Sequence, residues 1–99
     1  MDVKINRNTA DAGRINLAIN GDMTVYTVAE MKEIFLENLK SCKSMELDLS
    51  NVSKIDTAGY QLLLLADRET GLQNKQLSIS SLSDDVGRLF RLYRYRQQG

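Results

Sequence analysis

The residues best placed to do chemistry lie in one short run, Ile55-Asp56-Thr57-Ala58-Gly59, which leads into the apolar stretch Leu62-Leu63-Leu64-Leu65-Ala66. An acid followed by a hydroxyl at the start of a helix has two physical uses. The side chain can accept a backbone N–H as N-cap, a contribution of about 1 kcal/mol. The hydroxyl of Thr57 can also accept a phosphoryl group, whose dianion would sit at the positive end of the helix dipole. Small Ala58 and Gly59 keep the approach open to another protein. The pattern by itself is compatible with either use.

Other chemistries are poorly supplied. The chain has no histidine, which removes His-based triads, His general bases and most zinc sites. It lacks a Gly-rich phosphate loop, a cysteine pair at metal spacing and a serine nucleophile elbow. Asp48 and Asp56 offer two carboxylates but no third oxygen-rich position at cation-binding spacing. No cofactor or metal is therefore expected, and no enzymatic activity. Thirteen basic residues balance thirteen acidic ones, unlike a general nucleic-acid binder. The only cysteine, Cys42, falls on an apolar stripe and reads as a small core residue. The amino terminus has no apolar signal core, and the longest apolar run, Leu62 to Ala66, is far too short to span a bilayer, so a cytoplasmic location is expected.

The elements that must position Thr57 are legible as alternating strands and helices. The chain's 99 residues, 42% hydrophobic and 26% charged, suit one modest α/β domain over 1–99, closed by a short basic tail at 94–99. Val3 and Ile5 give a weak strand signal, and Asn8 to Gly13 reads as a turn. Ile15, Leu17 and Ile19 alternate with polar or small residues, as do Met45, Leu47 and Leu49, and Leu77 with Ile79 marks a third clear strand. Asn20-Gly21-Asp22 reads as the end of the first of these, and Asn51 to Lys54 as a polar connection. Helices are predicted near Val28–Lys40, Ala58–Thr70 and Asp84–Tyr93. The first has a capping-box pattern, Thr27 with Glu30, and Tyr26 and Met31 at staple spacing. The second takes Asp56 or Thr57 as N-cap and Gly71 as a left-handed stop. Ser83 caps the third. From Arg88 onward four arginines occur without an acid, and they suit either the helix C-terminal dipole or an anionic partner surface.

The run Asp48-Leu49-Ser50 through Ile55-Asp56-Thr57-Ala58-Gly59 resembles the signature of STAS domains, the fold named after sulfate transporters and anti-sigma-factor antagonists. In the bacterial antagonists the pattern is Asp-Leu-Ser, a gap, then Ile-Asp-Ser-Ser-Gly or a close variant, followed by a Leu-rich helix. Gly21-Asp22-Met23 falls where the family has a Gly-Glu-Leu turn, and Leu89-Phe90 matches its last helix. The resemblance implies a mixed sheet with helices packed against it. It also implies a binding switch: the unmodified protein binds a serine/threonine kinase that acts as an anti-sigma factor, and phosphorylation at the Thr57 position ends binding. Partner contacts would come from Asp22, Met23, Thr24, Asp56, Ala58, Gly59 and Tyr60. Two departures from the antagonists are visible. Thr24 stands where they often carry an acid, and the chain ends in an arginine-rich run in place of a further element. Asp-Thr-Ala-Gly also resembles STAS proteins associated with chemotaxis kinases and STAS subunits bound to the ATPase of lipid-transporting ABC complexes. A small-ligand or nucleotide binder is a third class.

Overall fold

The computed structural model describes residues 4–11 and 13–93. Seven elements follow in order: β1 (Lys4–Asp11), β2 (Arg14–Met23), α1 (Val28–Lys40), β3 (Ser44–Ile55), α2 (Thr57–Leu72), β4 (Gln76–Leu82) and α3 (Asp84–Tyr93). The strands form one mixed sheet in the order β1-β2-β3-β4, with β1 antiparallel to β2 and the other pairs parallel. Parallel neighbours need a crossover, and α1 and α2 supply the two crossovers here.

The alternation in sequence sets the core. Ile15, Met45 and Leu77 lie in register across β2, β3 and β4, as do Leu17, Leu47 and Ile79. Except for partly buried Ile79, these residues are at most 3% exposed, and they meet Met31, Phe35 and Leu39 of α1, Leu62, Leu63 and Ala66 of α2 and Val86 of α3. Cys42 is part of this core, as its spacing implies. The Leu62–Leu65 run divides: Leu62 and Leu63 are buried, Leu65 is half-buried and Leu64 is exposed.

Several boundaries differ from the sequence reading. Asn8 to Asp11 belongs to β1 rather than to a turn, because its backbone pairs with β2 through Asn8↔Asn16, Thr9↔Ile15 and Asp11↔Arg14. Asn20-Gly21-Asp22 does not end β2. Gly21, at φ +114°, absorbs a register shift, and the strand runs on to fully buried Met23. Asn51 to Lys54 is likewise strand: β3 continues to Ile55, and Asn51 to Ile55 pairs with Asn20 to Met23. At the end of α2 the left-handed residue is Asn74, at φ +58°, and the helix passes through Gly71 to Leu72. Ser83 does cap α3, its Oγ accepting the Val86 N–H at 3.3 Å. The arginine-rich tail from Arg94 lies outside the described residues, while Arg88 pairs with Asp85 at 3.3 Å. No described helix is long and apolar enough to cross a membrane.

Candidate functional site

The C-terminal ends of parallel strands β2 and β3 bring two strand-to-helix junctions side by side. At the second, one residue separates β3 from α2. That residue, Asp56, is extended, and its Oδ1 accepts the Gly59 N–H at 3.0 Å, which makes it the N-cap. Its Oδ2 accepts the Val25 N–H at 3.0 Å, and its own N–H donates to the Met23 carbonyl at 3.2 Å. One carboxylate therefore caps α2 and holds the β2–α1 loop against it. The choice left open between Asp56 and Thr57 resolves in favour of the acid, because its short side chain reaches the N–H three residues on.

Thr57 is thus the first helical residue, and capping does not consume its hydroxyl. The side chain is exposed, and its Oγ1 lies 3.1 Å from the Tyr93 hydroxyl at the end of α3. Tyr93 leans on the ring of Tyr60, centroids 4.6 Å apart, and Tyr60 meets Phe90 edge-on at 6.0 Å. Gly59 is fixed by close approach. A Cβ there would lie 2.2 Å from the Met23 carbonyl oxygen and 2.9 Å from Ile55 Cγ1, so no other residue fits without moving the end of β2.

The predicted site residues therefore gather in one place with unequal roles. Met23, Gly59 and Tyr60 are buried and form its floor. Asp22, Thr24, Asp56 and Ala58 are half-buried at its rim, with Thr57 at the surface. Thr27 and Glu30 do not form the capping box. The Thr27 hydroxyl instead turns back into the loop, donating to the Asp22 carbonyl at 2.7 Å and accepting the Thr24 N–H at 3.0 Å. The staple is absent as well, since Tyr26 is 85% exposed. Sequence reasoning overlooked Val25 and Tyr26 as surface residues, although two bulky apolar residues in so short a connection have little room to reach a core. It also placed Tyr93 at the end of the third helix without its partner Thr57.

Two grooves flank the site. One, of about 260 Å³, lies between α1 and α2 and is lined by Val28, Ala29, Lys32, Ala58, Gln61 and Leu65. The other, of about 400 Å³, runs from Thr24 and Asp56 to Leu89 and Leu92 of α3, with Lys54 and Arg88 on it. Asp48, the other motif acid, does structural work. Its Oδ1 accepts the Ser50 hydroxyl at 2.7 Å, the Ser50 N–H at 3.0 Å and the Ser81 hydroxyl at 2.9 Å. These bonds, those from Ser50 foremost, lower its carboxyl pKa. Among the described residues no group of three or more His, Cys, Asp or Glu side chains comes together to hold a metal ion.

An acid-capped, hydroxyl-bearing helix start on the third strand of a mixed sheet is the arrangement the resemblance implied. The family model described as Mlab, STAS domain matches residues 7–97. The chain belongs to the STAS-domain family. The anti-sigma-B factor antagonist of Staphylococcus aureus (strain NCTC 8325 / PS 47) is 29% identical to this STAS domain over 93 residues, covering 93% of the chain and 85% of that relative. The same fold appears in an anti-sigma factor antagonist from Mycobacterium paratuberculosis, with a TM-score of 0.83 at 15% identity, over 94% of this chain and 79% of that one. It appears again in the phosphorylated form of the Bacillus cell fate determinant SpoIIAA, with a TM-score of 0.72 at 13% identity, over 91% of this chain and 83% of that one.

Proposed function

We propose that this STAS domain is a non-enzymatic binding switch of the anti-sigma-factor-antagonist kind. It docks a protein partner, a serine/threonine kinase acting as anti-sigma factor, on the surface around Thr57, and phosphorylation of Thr57 ends the complex. The observation that carries the reading is the division of labour at the start of α2: Asp56 does the capping, which leaves the Thr57 hydroxyl exposed for chemistry. The similarity to anti-sigma-B factor antagonists supports the partner class, and the existence of SpoIIAA in a phosphorylated form supports the modification. A phosphate on Thr57 adds a charge of about −1.5 to −2 beside the Asp56 carboxylate. A partner packed over the helix start would have to desolvate that charge, which costs several kcal/mol unless it is paired.

One observation favours a second reading, a constitutive subunit bound to an ABC ATPase. Exposed Gln61, Leu64, Arg68 and Leu72 continue from Thr57 along one face of α2. That stripe offers a contact that a modification at Thr57 would not dislodge.

Binding titrations with a purified co-encoded kinase separate the two. Thr57→Glu is expected to weaken the complex at least about tenfold and Thr57→Ala to leave it nearly intact, with phosphate found by mass spectrometry on Thr57 of protein from its own cells. An unmodified Thr57, together with a Thr57→Glu variant that binds like the wild type, would defeat the switch. An ABC ATPase recovered as the bound partner would then favour the constitutive subunit.

A further inference from the structure

The last turn of α3 meets α2 through aromatic rings and one hydroxyl pair. Tyr60 is buried beside Phe90 and forms the base for Tyr93. Arg91 and Leu92 are exposed, and Tyr93 itself is 41% exposed. The 3.1 Å pair between Thr57 Oγ1 and the Tyr93 hydroxyl is thus a polar tie between the end of α3 and the start of α2. We infer that Tyr93 is a positioning residue for Thr57: it fixes the hydroxyl, and it makes the last turn of α3 respond to whatever Thr57 carries.

The modification itself rests on the reading proposed above; the tie does not. In the phosphoryl transfer, the Thr57 hydroxyl gives its proton to a base of the kinase. The Oγ1–phosphorus bond forms as the bond from the γ-phosphorus of a nucleoside triphosphate to its bridging oxygen breaks, and the nucleoside diphosphate leaves. Oγ1 then has no hydrogen to donate, and a phosphorus with three oxygens occupies its surroundings. At a separation of 3.1 Å the added group competes with the phenol for the space around Oγ1. Either hydroxyl can be the donor in this pair; once Oγ1 is esterified only the phenol can donate, so the pair re-forms to the added group or breaks, and either outcome resets the seat of Tyr93 on Tyr60 at the end of α3. Leu89 and Leu92, which line the larger groove, belong to the same helix, so the state of Thr57 reaches a surface it does not itself line.

A double-mutant cycle on the full chain tests the tie without a kinase. Amide hydrogen exchange of residues 89–93 is measured by NMR in the wild type, Thr57→Val, Tyr93→Phe and the double variant, with β3 amides as the control for global stability. Each single change deletes one hydroxyl at nearly constant volume and is expected to raise local opening of the last turn about twofold, the effect of losing one exposed hydrogen bond. The double variant should open no more than either single one. Unchanged exchange in the single variants, or a double variant whose effect is the product of the two, overturns the inference. A cycle that closes while Thr57 is never phosphorylated keeps the tie and removes the switch. An additive cycle with a phosphorylated Thr57 does the reverse.

Discussion

The two strand-to-helix junctions at the C-terminal ends of β2 and β3 each carry a threonine, and they use it in opposite ways. At the first, Thr27 is 6% exposed, and its hydroxyl is spent on the Asp22 carbonyl and the Thr24 N–H, closing the loop upon itself. At the second, Asp56 does the polar work, and Thr57 is left at the surface. The difference comes from one residue. An acid directly before the helix can satisfy an N–H of the first turn, so the next side chain is released from capping. A hydroxyl becomes available for contacts at the surface where a neighbour has taken over its usual task.

Substitutions can break this contrast, and the largest effect should come from the contact that joins the two junctions. Gly59→Ala drives a methyl into the Met23 carbonyl, which is backbone and cannot swing aside. A loss of about 3 kcal/mol is expected, read as a fall in melting temperature of roughly 15 °C. Asp56→Ala removes the cap and the hold on Val25 together, and denaturant unfolding should show a loss of about 2 kcal/mol. The two threonines give the sharpest comparison. Thr27→Val strips a buried hydroxyl from its partners and should cost about 1.5 kcal/mol, whereas Thr57→Val should cost about 0.5 kcal/mol or less in global stability. Equal losses at the two positions would show that Thr57 is as structural as Thr27 and would weaken the case for a switch.

Much of this arrangement can be read from the sequence, and the parts that cannot share a cause. Ile15, Leu17 and Ile19, and Met45, Leu47 and Leu49, announce their strands because one buried face imposes a period of two. The Asp56-Thr57-Ala58-Gly59 step marks the helix start because cap chemistry is local. Beyond Leu49 the alternation stops while β3 continues, since a shifted register lets polar Ser50, Asn51 and Ser53 lie in a strand with little burial to betray it. Thr27 fits every local rule for a cap, and tertiary contacts turn its side chain elsewhere. The pairing of Thr57 with Tyr93 spans 36 positions, and no local pattern encodes it.

The strands stand in the sheet in the order in which they occur in the chain. During synthesis each new strand can therefore be laid beside its predecessor, and none has to be threaded between two already in place. β1, β2 and β3 can pair before α2 is made, but the surroundings of Thr57 are completed only when Tyr93 has left the ribosome. A nascent chain presents the sheet first and the completed surface around Thr57 last.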